Sequence, residues 1–343
     1  MSGGVDSSVA ASLLCEQGHE VHGVTLRLWG GSSDSGCCSV EDVTDAALVA
    51  AELGITHHVF NLSEEFDQHV VSPYVADHQA GLTPNPCIEC NRHLKFDALL
   101  AAANRLGFEY LATGHHARVE RHNDTVDLRR GVDAAKDQSY VLSMLTADQL
   151  TSLLFPVGEM TKTEVRQHGE ARGLRTFNKA ESQDVCFIDS RHGREAFLAE
   201  RTTLTPGTVI DRDSGKPVGH VSAVELVTVG QKRGFGLDDH GRRRVVVAVK
   251  PSRAEVIVTS ADHAHVSSLL LDPSTATWVH EAPPEGAELL VQVRAHSPAN
   301  LARWHDTHLE FLEPVAPVAP GQTAAFYDPN DPTRVLGSVR ISK

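Results

Sequence analysis

Met1-Ser2-Gly3-Gly4-Val5-Asp6-Ser7-Ser8 is the stretch whose reading decides the fold. Its two adjacent glycines let the backbone come close to a ligand, and Asp6 or Ser7 is placed to cap a following helix. The spacing predicts that helix from Ser8 to Gln17, with Gly18 as its stop. Free N–H groups at a glycine-rich turn and a helix N-terminus make an anion site. Two common phosphate loops do not fit. No Gly-Lys-[Ser/Thr] follows, and the glycines do not fall in a G-x-G-x-x-G pattern. The plain alternative is an ordinary glycine-rich turn.

A phosphate loop of this kind is expected to follow a buried hydrophobic strand, and none precedes it in this sequence. The expectation is a truncated start, with one strand missing from the central sheet. Such a strand carries several apolar side chains worth roughly 1.5–3 kcal/mol each. Working outward, Val21 to Leu28 alternates and is β-branched, as a strand is, and Val40 to Leu53 has helical spacing with Gly54 as the stop. Ile55 to Leu62 reads as a strand, followed by a helix to about Gln79 and an irregular Gly81-to-Pro86 stretch. A helix is predicted over Leu94 to Leu106, and a strand Tyr110 to Thr113 ends at Gly114-His115-His116. Strands alternating with helices of this length indicate an α/β, doubly wound parallel sheet with its site at the strand ends.

After about residue 200 the texture becomes β. Short strand-like runs with glycine turns suggest two small β domains, the last a β-barrel. The expected division is 1–200, 201–262 and 263–343. The chain has 343 residues, 41% hydrophobic and 22% charged, ordinary for a globular protein. No run approaches ~18 apolar residues and no signal peptide is seen, so a cytoplasmic location without a membrane is expected. The net charge of −14 argues against a uniformly basic nucleic-acid binder but leaves room for a local basic face.

The six cysteines are Cys15, Cys37, Cys38, Cys87, Cys90 and Cys186. Two adjacent and two in a C-x-x-C do not read as a disulfide scaffold; catalysis or metal binding suits such a pattern better. One group stands in Asn85-Pro86-Cys87-Ile88-Glu89-Cys90-Asn91, ahead of Leu94-Lys95-Phe96, and another in Ser182-Gln183-Asp184-Val185-Cys186-Phe187-Ile188. A nucleotide loop, a cysteine in a proline-rich loop and a distant single cysteine suggest thiol chemistry coupled to ATP. Thiolates accept and hand on sulfur, and they also ligate iron or zinc. A buried, inert Cys186 between Val185 and Phe187 is the bland alternative. Cys15, behind Leu13-Leu14, reads as core, and Cys37-Cys38 has no assigned role.

The Ser-Gly-Gly-Val-Asp-Ser-Ser string resembles the signature of the PP-loop ATP pyrophosphatases. With the two cysteine motifs, the whole chain resembles the bacterial tRNA-specific 2-thiouridylases. Further matching strings are Ala-Thr-Gly-His-His at 112–116, Lys136-Asp137-Gln138-Ser139-Tyr140, Phe155-Pro156-Val157-Gly158, Gly230-Gln231-Lys232-Arg233-Gly234 and Pro320-Gly321-Gln322. The resemblance implies ATP with Mg2+, bound by Met1, Ser2, Gly3, Gly4, Val5, Asp6, Ser7, Leu26 and Gly114. It implies that ATP adenylates the 2-oxygen of the wobble uridine in a tRNA anticodon stem-loop. Cys186 would carry a persulfide from a sulfur-relay protein or cysteine desulfurase, and Cys90 would be the nucleophile that attacks it, with a transient Cys90–Cys186 disulfide. Asn85, Pro86 and Cys87 would meet the flipped target base. His115, Lys136, Asp137, Gln138, Arg294 and Gln322 would contact tRNA, Arg294 from a barrel strand.

One departure matters. Cys87 stands where an Asp is common in this family. Cys87, Cys90 and Cys186 could together hold an iron–sulfur cluster with one iron open to sulfide, or zinc; the persulfide route is ranked first, with no resident metal. Other PP-loop ligases, of amidotransferase or argininosuccinate type, need no such cysteines. A catalytically idle tRNA-binding protein is the reading left if the nucleotide loop is broken. A monomer is expected.

Overall fold

Helix α1 (Val5–Glu16) starts at Val5 rather than Ser8, because the glycines complete the turn by themselves. Gly3 takes φ +69°, and Gly4 is the N-cap with no side chain closing it. Asp6 and Ser7, expected as caps, therefore lie inside the first turn. The Ser7 and Ser8 hydroxyls instead donate back to the Gly4 carbonyl at 3.2 and 2.9 Å. The computed structural model describes residues 1–28, 40–123, 125–180, 185–188 and 192–343. Val5, Val9, Ala10 and Leu14 of α1 are all buried, so this helix is central rather than amphipathic.

Strand β1 (His22–Arg27), helix α2 (Val40–Leu53) and strand β2 (Thr56–Asn61) form a β-α-β unit with the two strands parallel. β3 (Leu111–Ala112) is followed by a hairpin, β4 (Ala117–His122) and β5 (Thr125–Arg130), and then by β6 (Leu153–Leu154), which pairs parallel with β3. The opening loop bridges these two parallel pairs. The Met1 amino group donates to the Val24 carbonyl of β1, and Thr25 Oγ1 donates to the Met1 carbonyl at 2.7 Å. At its other end, the loop backbone at Asp6 and Ser7 packs on Gly114, just after β3.

The central β domain is a four-stranded sheet of β7 (Gly207–Asp211), β8 (Pro217–Val221), β9 (Arg244–Lys250) and β10 (Glu255–Ser260), in the order β8-β7-β10-β9. The last domain is a closed barrel of β11 (Val266–Trp278), β12 (Glu288–Gln292), β13 (Asn300–His305), β14 (His308–Val315), β15 (Thr323–Tyr327) and β16 (Arg334–Ile341). Its order is β11-β14-β13-β12-β15-β16, with β11 pairing back on β16. Leu269, Val291, Trp304 and Phe326 fill it.

Three features differ from the sequence expectation. The hairpin β4–β5 leaves the first domain and adds to the barrel sheet, Val335 of β16 pairing with Leu128 of β5. Strand β12 ends at Gln292, so Arg294 lies beyond the barrel strand in which it was expected, exposed, with its guanidinium held by the Pro317 carbonyl at 2.6 Å. The helix expected to start at Leu94 starts at Pro86 and continues over 86–105. Asn85 makes this possible: its side-chain oxygen accepts from the Cys87 N–H at 3.1 Å, and Pro86 fills the first helical position.

Candidate active site

The first half of the site is the loop before α1. Without a side-chain cap, the first N–H groups of α1 stay open to an anion. Ser2 N donates to Ser7 Oγ at 3.1 Å, and the two hydroxyls lie 3.2 Å apart, which closes the loop on itself. A Cβ at Gly3 would stand 2.8 Å from the Asp42 Cα. A Cβ at Gly114 would stand 2.6 Å from the Ser7 nitrogen. Both glycines are therefore required for close backbone approach, not only for flexibility.

Asp6 is tied down by residues that the sequence did not single out. Lys162 Nζ donates to both carboxylate oxygens, at 2.7 and 2.8 Å, and His116 Nε2 lies 3.1 Å from Oδ1. Burial alone would push this carboxyl up, but the His116 and Lys162 bonds outweigh it and hold it below the usual range. Lys162 follows Thr161, which caps its own helix through Glu164; that capping box was the only local signal. Nearby, Lys179 bridges Asp42 at 2.8 Å and Asp45 at 2.6 Å, anchoring the α2 turn that backs Gly3.

The second half sits on the helix over 86–105. From Cys90 to Leu99 that helix winds wide, as a π-helix, a form frequent at functional sites. Cys87 is exposed and Cys90 buried, one turn apart on the same face. Cys90 belongs to an apolar cluster with Leu28, Phe66, Tyr74, Leu94 and Phe187, and Cys186 packs on that same cluster, half-buried. The two expected sulfur residues thus share one cluster, Cys90 within it and Cys186 against it. Cys37, Cys38, Ser182, Gln183 and Asp184 lie outside the described residues.

Lys95 lies on the helix that carries Cys90. It is half-buried, and its charge acts on both the Met1 amino group and the His115 imidazole. His115, expected to face tRNA, has its side chain inside the domain. Its Nδ1 lies 2.7 Å from Thr113 Oγ1, and Phe96 and Phe155 pack on its ring. Burial pushes its pKa well below the usual imidazole range, with Lys95 adding to the effect. Asp137 and Gln138 also point inward: Asp137 accepts from Arg130 at 2.7 Å, and Gln138 Oε1 accepts from the His116 N–H at 2.9 Å. Lys136 is half-buried, and Leu26 packs on the cluster of Cys90.

The barrel touches the site from behind. Gln322 Nε2 donates to the Thr83 carbonyl, and the Thr83 N–H donates to the Pro320 carbonyl at 2.8 Å, just ahead of Asn85-Pro86. Tyr140 OH donates to the Thr323 carbonyl at 2.9 Å and also bonds Asn85.

Comparison with known proteins agrees with this layout. The tRNA methyl transferase HUP domain family matches residues 1–190, the tRNA methyl transferase PRC-barrel domain family 195–260, and the aminomethyltransferase beta-barrel domain family 270–341. The tRNA-specific 2-thiouridylase MnmA of Chloroflexus aggregans is 44% identical over 355 residues, covering 100% of this chain and 97% of that protein. This chain belongs to the MnmA family. The MnmA of Roseiflexus sp. strain RS-1 is 43% identical, over 100% of this chain and 98% of its own. MnmA of Acidothermus cellulolyticus is 42% identical, over 100% and 96%. A solved U34-tRNA thiolase, NcsA from Methanococcus maripaludis with its [4Fe-4S] cluster, is similar only at 17% identity and TM-score 0.36, over 58% of this chain and 60% of that one. Among the described residues, no helix is long and apolar enough to cross a membrane.

Proposed function

We propose that this MnmA-family chain is a tRNA-uridine 2-sulfurtransferase, which replaces the 2-oxygen of the wobble uridine by sulfur at the expense of ATP. It acts as a monomer in the cytoplasm, on the anticodon stem-loop. The observation that carries this reading is the packing of Cys90 and Cys186, distant in sequence, on one apolar cluster. The positive charge of Lys95, on the helix that bears Cys90, is felt at the Met1 amino group that opens the nucleotide loop.

The reaction has two stages. ATP lies with its phosphates on the open N–H groups of α1, enclosed by Ser2 to Ser7 and Gly114, with Leu26 toward the adenine. Mg2+ would be carried by the ATP phosphates and would offset charge on the departing pyrophosphate, while Asp6 holds Lys162 at the loop. The uridine 2-oxygen attacks the α-phosphate, pyrophosphate leaves, and the oxygen becomes part of a good leaving group. Cys186 carries a persulfide delivered by a sulfur-relay protein or cysteine desulfurase. The Cys90 thiolate attacks the Cys186 Sγ of that persulfide, giving a Cys90–Cys186 disulfide and releasing hydrosulfide. Hydrosulfide adds to C2, AMP departs with the old oxygen, and an external thiol reduces the disulfide. Asn85, Pro86 and Cys87 face the base, and Lys136 and Arg294 lie toward tRNA, with Gln322 bracing the turn at Thr83 and His115, Asp137 and Gln138 held behind it.

A second reading is favoured by one observation: Cys87 stands one turn before Cys90 on the same helix. Cys87, Cys90 and Cys186 would then hold an iron–sulfur cluster, which supplies an iron open to sulfide. Anaerobic purification with iron and sulfide assays, followed by single-turnover thiolation, separates the two. The persulfide reading expects no iron, and loss of activity in Cys90→Ser and Cys186→Ser alone. Bound iron that is lost with activity in all three cysteine variants establishes the cluster instead. Thiolation undiminished in Cys186→Ser overturns both.

A further inference from the structure

The hairpin of β13 and β14 lies on the barrel and carries the sequence Trp304-His305-Asp306-Thr307-His308-Leu309-Glu310. Its antiparallel register sets His305 opposite His308 and Arg303 opposite Glu310. Trp304 and Leu309 are buried in the barrel core, so His305, His308 and Glu310 share the outer face. The two imidazoles stack, with centroids 4.4 Å apart and planes 7° from parallel. One donor atom from each of the three residues lies within 4.8 Å of the others.

The tautomer of His305 gives this cluster its direction. His305 Nδ1 lies 2.6 Å from Glu285 Oε1, in the loop before β12, and a carboxylate there fixes the ring proton on Nδ1. The Nε2 lone pair is then turned toward Glu310, whose Oε2 is 3.8 Å away. That Nε2 is shielded from solvent and has no hydrogen-bond partner. On the other side, His308 Nε2 is 3.8 Å from Glu310 Oε1. Both separations are longer than a hydrogen bond, so Glu310 faces the two rings without being tied to either. Two protonated imidazoles stacked face to face would also repel each other.

We propose that His305, His308 and Glu310 form a peripheral Zn2+ site, with Glu285 as the carboxylate that orients His305. Two imidazole nitrogens and one carboxylate oxygen are a zinc donor set, and water completes a tetrahedron at the exposed side. A carboxylate on the far nitrogen of a metal-bound histidine is the usual supporting partner. Zinc–nitrogen bonds of about 2.0–2.1 Å require the three donors to draw together by roughly 1 Å. Glu310 and His308 are the more exposed members, and their rotamers supply that movement. The bound ion closes the β13–β14 hairpin on itself, and the Glu285–His305 bond links it to the loop before β12.

The test compares the chelator-stripped full chain with His308→Gln and Glu310→Gln, chosen because both side chains are partly exposed and neither fills the barrel core. Zinc content after reloading and gel filtration is measured alongside Co2+ absorption. The expected result is one equivalent of zinc in the unaltered protein that both variants lack or bind at least tenfold more weakly. Its Co2+ spectrum shows d–d bands that the variants lose, while any thiolate charge-transfer band stays unchanged between them. Equal zinc affinity and stoichiometry in all three proteins overturns the proposal. So does loss confined to a thiolate-ligated signal.

Discussion

The two halves of the active site are held in opposite ways. The loop at Met1–Ser8 is held within its own domain: Ser7 and Ser8 bond Gly4, and Lys162 and His116 grip Asp6. The turn at Asn85–Cys90 is held partly by a distant domain, through Pro320, Gln322 and Thr323 of the barrel. The helix over 86–105 belongs to both, since Ile88 and Phe96 share a core with Tyr327 and Val335 of the barrel. A nucleotide site can be self-contained because ATP is the same in every turnover. A site that accepts a base extruded from a large RNA is braced by the domain that would carry the rest of that RNA.

The largest effect is expected at the sulfur end. Cys90→Ser should lower single-turnover thiolation by about 10³-fold or more, as loss of a nucleophile does. tRNA-dependent ATP–pyrophosphate exchange should persist, because Cys90 takes no part in adenylation. Loss of both activities together would mean that the two halves are one unit and would break the comparison. Next comes Gly3→Ala. The methyl would press on the Asp42 backbone, and a left-handed φ costs an alanine roughly 1–2 kcal/mol. Exchange and thiolation should fall together by about tenfold or more. An unchanged ATP affinity by calorimetry would show that the loop does not hold the phosphates.

These two predictions start from residues that were readable in the sequence, and the difference in legibility has a physical cause. The nucleotide loop is local: adjacent glycines, a helix and a Ser-rich turn are encoded within a few residues. Asn85-Pro86 was also a helix start written locally, an N-cap followed by proline at the first position. The prolines and glycine of the preceding stretch mask it, so the sequence reading starts the helix too late and leaves a cysteine of this motif in a proline-rich loop. Lys162 on Asp6 was not readable, since nothing near Lys162 says which carboxylate it will meet. Nor was the pairing of β5 with β16, which depends on how two domains dock. The resemblance put His115 of the Gly-His-His turn against tRNA, yet Phe96 and Phe155, far apart in the chain, close over it.

A smaller effect should appear with pH. His115 is buried neutral, whereas the unfolded chain binds a proton near pH 6.5. A histidine depressed in the folded state stabilises the fold above the unfolded pKa, and this contribution is lost as pH falls below it. Wild-type stability should therefore fall below about pH 6.5, His115 contributing up to about 1.4 kcal/mol per pH unit. In His115→Phe that slope should shrink, measured as Tm against pH between about 7 and 5. A slope identical in both proteins would place the histidine in solvent and reopen a direct tRNA contact.

The smallest expected effect sharpens the comparison most. Gln322→Ala removes one hydrogen bond, to the Thr83 carbonyl, worth about 1 kcal/mol. The Pro320–Thr83 bond remains, so the barrel stays docked and the base-facing turn only loosens. A residue that merely touches tRNA would raise KM and leave kcat intact, because its contact is the same in ground and transition states. A brace for Asn85-Pro86 predicts the other pattern: kcat for thiolation down about fivefold, KM for tRNA nearly unchanged, and ATP binding unaffected. Gln322→Glu serves as the control, since it keeps an oxygen for tRNA but loses the donor that Thr83 accepts. If both variants lower kcat alike, the barrel acts on chemistry by fixing the turn. If only KM moves, the barrel is a docking surface and the sulfur half is as self-contained as the nucleotide half.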